Sequence, residues 1–376
     1  MTELVQNASG VQHGSWIELR TDPLLENLRT LRKHARQNDV LAVIKANAYG
    51  HGLTEIARAL AGQVTYFGVA SLREALELKE NFPQTPVFLF GHLFPHELSA
   101  ALLGGIMLSV SSLEKAAEIS AQSESLGRKT PVHIKIDTGM GRMGIPVRDA
   151  GPVIEKMARL KGLMLDGIYT HFPTAEKSDA FRETQVREFG LLLQSLEKKS
   201  IVFRYRHLSN SAATLTLETP MINMIRPGLT LYGIYPDQNL RTAASFKPVL
   251  SLKSRILLVK KVHPGESVGY GREFIATKTT TVAVLPFGYS HGYPYAAWKK
   301  ASVLHAGKRY PLAGKVSMDY IAVDLGDAEA KEGDTVTLLG EEKGERITAE
   351  DIAHWAGTIP YEIVTRLSAS LPRIVV

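Results

Sequence analysis

The sequence predicts an α/β protein, a (β/α)8 barrel followed by an all-β domain, and three observations carry that prediction. From about residue 42 to about residue 233, short apolar runs ending in a polar or glycine residue alternate with amphipathic helical stretches. Eight such runs can be counted, which fits a closed barrel better than an open doubly wound sheet. After about residue 235 the helical stretches give way to β-branched runs separated by turn signals. The absence of a GxGxxG after the first strand weighs further against a dinucleotide-binding sheet.

Taken in order, residues 1–14 read as a loose tail, and SWIEL (15–19) as a strand able to pair with either domain. The barrel is assigned residues 15–240 and the β domain residues 241–376. The barrel runs are LAVIK (41–45), YFGVAS (66–71), VFLFG (87–91), IMLSV (106–110), VHIKID (132–137), LDGIYTH (165–171), YRHLS (205–209) and NMIRPGLTLYG (223–233). Helices are expected over 71–82, 111–127 and 182–199 between them. In the second domain, KPVLSLKSRILLVKKV, ATKTTTVAVLPFGY and DTVTLLG read as strands. A short helix over 348–357 opens with a Thr-x-x-Asp capping signature.

Composition narrows the function classes. The chain has 376 residues, 44% hydrophobic and 22% charged, as in ordinary globular proteins. Without cysteine it has no disulfides, thiol catalysis or cysteine-ligated metal, and no metal site is expected. No apolar run approaches the roughly 18 residues that a membrane span needs. The N-terminal stretch lacks a basic region and an apolar core, so the cytoplasm is the expected compartment. The net charge is +6, but the 44 basic residues are spread among 38 acidic ones, unlike the clustered pattern of a nucleic-acid binder. The densest basic stretch, LRTLRKHAR (28–36), reads as the solvated face of a helix.

Active sites of such barrels sit at the carboxyl ends of the strands. Those ends here carry Lys45, Ser71, Asp137, His171, Ser209 with Asn210, and Arg226, which makes a basic mouth suited to anions. Asp137 opens the turn DTGMGRMG, whose glycines would let backbone amides face an anion and which places Arg142 beside the mouth. Lys45 closes an apolar run, where desolvation disfavours its charge and would leave a nucleophilic amine. A lysine that snorkels to water is the plainer alternative.

At this point the residues carry a resemblance. AVIKANAYGHG (42–52) resembles the pyridoxal-phosphate lysine signature of the alanine racemase family. KIDTGMGRMG (135–144), IYTHF (168–172), LSNSAATL (208–215), RPGLTLYG (226–233), VGYGREF (268–274), FGYSHGYP (287–294) and KVSMDY (315–320) follow in the family's order. IPYEIVTRLSASLPR (359–373) matches in outline, so the resemblance covers nearly everything after residue 14.

The resemblance implies a (β/α)8 barrel with a C-terminal β domain, acting as a homodimer with shared active sites. It implies pyridoxal 5'-phosphate held as a covalent aldimine on Lys45, which would also serve as one catalytic base. Tyr270, acting from the partner subunit, would be the other, because racemisation needs bases on opposite faces of one carbanion. A tyrosine with its ordinary pKa near ~10 needs cationic surroundings to act in this way. Tyr49, Ser211 and the backbone around Gly228 would hold the phosphate, with Asn210 alongside. For Ser211, capping of the helix that follows is an equal reading, compatible with the first. Arg226 would face the pyridine nitrogen, supported by His171. An arginine donates a hydrogen bond but does not protonate the ring, which weakens the electron sink and suits racemisation over transamination. Arg142 and the Met318 amide would meet the substrate carboxylate, with Asp319 in support. Lys135 matches a position carbamylated in some members; an unmodified lysine paired with a neighbouring acid is the alternative. Tyr289 would lie near the substrate entry.

One departure stands out: Ala369 occupies a place where many members carry a tyrosine, which would leave room for side chains larger than methyl. Three functions remain in view. The first is an alanine racemase supplying D-alanine for wall peptides. The second is a racemase of broader specificity, for example on serine, or a lyase or decarboxylase on the same barrel. The third is a non-catalytic cofactor-binding homeostasis protein, against which the second domain and Tyr270 speak. A class I aldolase using Lys45 would leave Arg226 without a role.

Overall fold

A computed structural model describes residues 13–36 and 38–376, so all but the last two residues of the expected tail lie outside it. The chain divides into two compact units. Among the described residues, one comprises 22–49 and 53–247; the other comprises 13–21, 50–52 and 248–376.

The first strand, β1 (Ser15–Leu19), belongs to the second unit, and the next nine build the first. They are β2 (Asp39–Val43), β3 (Tyr66–Val69), β4 (Val87–Leu89), β5 (Met107–Val110), β6 (Thr130–Asp137), β7 (Ile145–Pro146), β8 (Leu163–Tyr169), β9 (Tyr205–His207) and β10 (Met224–Ile225). Eight of them pair in parallel in the order β10-β2-β3-β4-β5-β6-β8-β9, with β7 a short addition beside β6. Between β9 and β10 the ring is nearly closed by two backbone bonds. Asn223 N–H donates to Arg206 O at 3.1 Å, and Arg226 N–H donates to Ser209 O at 2.8 Å. The eight strands match the eight predicted runs. The last is the least strand-like: Met224–Ile225 alone is extended, because Pro227 has no N–H for a ladder and Leu229–Tyr232 winds into a 3-10 turn.

Helices at Leu72–Asn81, Leu113–Ser125 and Ala180–Glu197 fall within two residues of their expected ends. Their starts are fixed by Ser71, Ser112 and Asp179, whose side-chain oxygens accept the N–H three residues on. Inside the barrel, Phe88, Tyr169, His133 and His207 are fully or almost fully buried, and Tyr169 stacks on His207 at 4.8 Å.

The second unit contains β11 (Leu250–Arg255), β12 (Leu258–Val262), β13 (Ser267–Val268), β14 (Phe274–Ile275), β15 (Thr280–Leu285), β16 (Ser302–His305), β17 (Lys308–Pro311), β18 (Ile321–Gly326), β19 (Thr335–Glu342), β20 (Glu345–Ile347) and β21 (Arg373–Val375). One sheet runs β17-β16-β19-β11-β1-β21 with β20 on β19; another runs β12-β15-β18. SWIEL, which the 15–240 boundary assigns to the barrel, is therefore a strand of this unit. It lies antiparallel to β11 and parallel to β21. A ring already formed by eight strands offers no edge to a ninth, whereas β11 and β21 leave a slot between them. Val262, Val268, Ala276, Val282 and Ala313 form an apolar cluster, with Phe274 and Ala322 packed against it. The short helix is present at Ala349–Ala356, and Thr348 and Asp351 cap it reciprocally. Among the described residues no helix is long and apolar enough to cross a membrane.

Candidate active site

The run that ends in Lys45 does not simply turn into a loop. Ala46, Asn47, Ala48 and Tyr49 all have φ between 51° and 54°, a left-handed helical turn made without glycine. Each such residue costs roughly 1–2 kcal/mol, so the turn persists only because its surroundings hold it. Asn47 is gripped from both sides: its N–H donates to Glu74 Oε1 at 3.1 Å, and its Oδ1 accepts from Leu53 N–H at 2.7 Å. Glu74 is itself buried and accepts from Ser71 Oγ at 3.1 Å. Ala48 N–H donates back to Ile44 O at 2.9 Å, and the Ala48 side chain is fully buried. This fixed turn leaves Lys45 half-buried at its head. Burial and the charge of Arg142 lower the Lys45 pKa, while Glu74 acts in the opposite sense. Its amine is therefore easier to deprotonate than a surface lysine, as a nucleophile requires.

Arg226 is buried across the barrel interior. Its Nη1 lies 2.9 Å from His207 Nδ1, and its Nη2 donates to Thr170 O at 2.7 Å and Leu208 O at 3.0 Å. His171 Nδ1 approaches the same Nη2 at 3.3 Å. Burial brings the arginine down to about 10, which leaves it charged at neutral pH. Burial first, then Arg226, Arg142, Lys135 and Lys45, push His171 down to about 3, so it is neutral. Lys135 is nearly fully buried and is held down to about 8 by desolvation, Arg142 and Arg226, with Asp137 opposing. Four cationic side chains thus act on one another at the mouth without equal acidic balance, and a bound dianion would relieve the imbalance.

The expected phosphate residues also converge. Gly228 N–H and Thr230 N–H donate to Ser211 Oγ at 2.9 and 3.4 Å, which leaves the hydroxyl proton for an outside acceptor. Ser209 Oγ and Thr230 Oγ1 are buried without a hydrogen-bond partner among the described residues. A Cβ on Gly228 would stand 2.7 Å from Tyr49 Oη, so only glycine lets that phenol approach. Gly228→Ala is expected to push the Tyr49 hydroxyl aside and weaken cofactor retention about tenfold, the worth of one good hydrogen bond to a charged group. Equilibrium dialysis against pyridoxal phosphate measures this, and unchanged retention would contradict the assignment. Asn210 is used differently, since its Oδ1 caps the helix Ser211–Thr216 by accepting from Ala213 N–H at 3.0 Å. The DTGMGRMG turn does aim glycine amides at an anion, but the anion is Asp137, which accepts from Gly139 and Gly141 N–H at 2.9 and 3.1 Å. Arg142 is exposed beyond it.

Four expected residues lie on the second unit. Tyr270 follows Gly269 (φ 75°) and precedes Gly271 (φ 73°), and it is 72% exposed. Met318 O accepts from Ser290 N–H at 3.0 Å, and Ser290 Oγ donates to Asp319 Oδ1 at 2.9 Å. This joins the Tyr289 loop to the SMDY loop. Gly288 makes that fit possible, because a Cβ there would lie 2.3 Å from Met318 O. His207 is a site neighbour that sequence reading did not single out. Period-two alternation along YRHLS places it inward with Tyr205, and a histidine at an inward position was the available signal.

The donor set fits pyridoxal 5'-phosphate: an amine for its aldehyde, hydroxyls for its phosphate, and a guanidinium for its ring nitrogen. Comparisons with known proteins agree. The model for the alanine racemase N-terminal domain matches residues 19–236, and that for the C-terminal domain matches residues 249–375. The alanine racemase of Carboxydothermus hydrogenoformans is 39% identical over 96% of this chain and 99% of its own. The solved alanine racemase of Clostridium difficile 630 superposes with a TM-score of 0.92 at 33% identity, over 96% of both chains. That of Bartonella henselae, solved with covalently bound pyridoxal phosphate, superposes at 0.86 and 26% identity, over 97% of this chain and all of that one. With both halves matched by family models, and relatives aligned along nearly their whole lengths, the chain belongs to the alanine racemase family.

Proposed function

We propose that the protein interconverts L-alanine and D-alanine, with pyridoxal 5'-phosphate bonded to Lys45, and so supplies D-alanine for wall peptides in the cytoplasm. The observation that carries the reading is Lys45 itself, its pKa lowered and its backbone locked at the head of a strained turn inside a cationic mouth. When bound, the cofactor draws electrons from the substrate's Cα. Tyr49, Ser211 and the Gly228 segment bind its phosphate, and Arg226 donates to its ring nitrogen without giving up a proton. Arg142 orients the substrate carboxylate, together with the Met318 amide of the partner subunit. Lys45 takes or returns the Cα proton on one face, and Tyr270 of the partner subunit does so on the other.

The exposed Tyr270, Tyr289, Tyr295, Met318 and Tyr320 of the second unit support a homodimer that covers this surface. Lys135 is carbamylated in this reading: burial and cationic neighbours favour its neutral amine, and a carbamate would add the missing negative charge.

The test is incubation with L-alanine in deuterated water. D-alanine carrying Cα deuterium is expected, and D-alanine free of deuterium, or none, would refute the two-base reading. The second reading, a broader racemase, rests on exposed Ala369. L-serine in the same assay is expected to turn over, and near-zero turnover beside brisk alanine exchange removes it.

A further inference from the structure

A line of polar groups continues from Arg226 into the barrel core, away from the expected cofactor. Arg226 Nη1 lies 2.9 Å from His207 Nδ1, and His207 Nε2 lies 2.8 Å from His133 Nδ1. His133 Nε2 lies 3.5 Å from Asp166 Oδ2, close enough for charge to act but without a formed hydrogen bond, and Tyr66 Oη donates to the same oxygen at 3.4 Å. Both histidines are completely buried. Such a line through an otherwise apolar interior is costly unless every member is satisfied.

The direction of the line follows from its first member. A guanidinium only donates, so His207 Nδ1 accepts, which puts the ring proton of the neutral imidazole on Nε2. His207 Nε2–H then donates to His133 Nδ1, and the proton of His133 stands on Nε2, facing Asp166. Burial disfavours a charge on either ring; at His133 Asp166 opposes this, and Arg226 adds to it at both. Phe88, tilted against His133 at 4.8 Å, and Tyr169, stacked on His207 at 4.8 Å, pack the two rings in place.

We propose that Asp166 and His133 are positioning residues for the reaction. Through His207 they lock Arg226 in one orientation and place a carboxylate behind it, which tempers the positive field the arginine presents to the ring nitrogen. The inference rests on the reading of Arg226 as the group that faces that nitrogen. His171 and the backbone carbonyls of Thr170 and Leu208 hold the guanidinium in place, but none of them carries negative charge. The carboxylate at the end of the line is the one group in it that does.

The test has two parts. The first is imidazole 15N NMR of the unaltered purified protein at neutral pH. The proton is expected on Nε2 in both His133 and His207, whether or not the protein racemises alanine; a proton on Nδ1 of either ring overturns the line. The second is Asp166→Asn, which keeps the shape and removes the charge. It is expected to lower kcat about tenfold, a loss on the order of 1.4 kcal/mol of transition-state stabilisation from the missing charge, with KM within about twofold, and to allow His133 to sample both tautomers. Unchanged kcat, or a KM effect alone, overturns the proposal. If the unaltered protein does not racemise alanine, the functional reading fails instead, while the tautomers still decide whether the line exists.

Discussion

Lys45→Ala yields a folded protein that neither retains pyridoxal phosphate through gel filtration nor racemises alanine at a measurable rate. The expected loss is at least about 10⁴-fold, because one residue carries both the covalent attachment and a proton transfer worth up to that factor alone. The fold survives for a physical reason. Lys45 is only half-buried, its pKa is lowered by burial and by Arg142, and its removal takes one positive group out of a crowded cationic mouth. The left-handed turn is held by Asn47, Glu74 and the buried Ala48, not by the lysine side chain. The visible absorption of the lysine-bound cofactor should vanish while the thermal midpoint moves little. A variant that keeps that absorption would show that another group anchors the cofactor.

Tyr270→Phe separates the two faces of the reaction. The residue is 72% exposed, so the deletion of one oxygen costs the fold almost nothing. Racemisation is expected to fall on the order of 10²–10⁴-fold, the usual worth of a general acid or base. The loss should be one-sided: exchange of the L-alanine Cα proton with deuterated solvent collapses, while that of D-alanine, served by Lys45, persists. Following both exchanges by mass spectrometry decides the point, and equal losses from the two enantiomers would contradict the assignment of opposite faces.

The barrel was legible because parallel strands bury both faces and so read as unbroken apolar runs, punctuated by the Ser and Asp caps of the helices between them. The β domain was legible from the loss of those helices. What stayed hidden was set by tertiary contacts. SWIEL looks the same whether it pairs with a barrel or a sheet, and only the slot between β11 and β21 decides it. ANAY contains two alanines, the best right-handed helix formers, so nothing local announces four left-handed residues in a row. Asp137 and Asn210 carry the right chemistry for a ligand, yet both spend it on their own backbone. For His207 the alternation along YRHLS gave an inward position but no role, because its importance comes from Arg226, 19 residues away, and not from its neighbours.

The turn after Lys45 sets stability and reactivity against each other. Glycine at the exposed Ala46 would relieve a left-handed conformation that disfavours any L side chain, and the barrel would gain about 1 kcal/mol on that account. The same change would give the lysine a swivel, widening the arc its amine explores and diluting the fraction of time it spends aligned for proton transfer. Selection for sturdiness alone would therefore erode this segment toward glycine. Alanines in the mirror-image helix are the mark of a protein shaped by its rate rather than by its melting point.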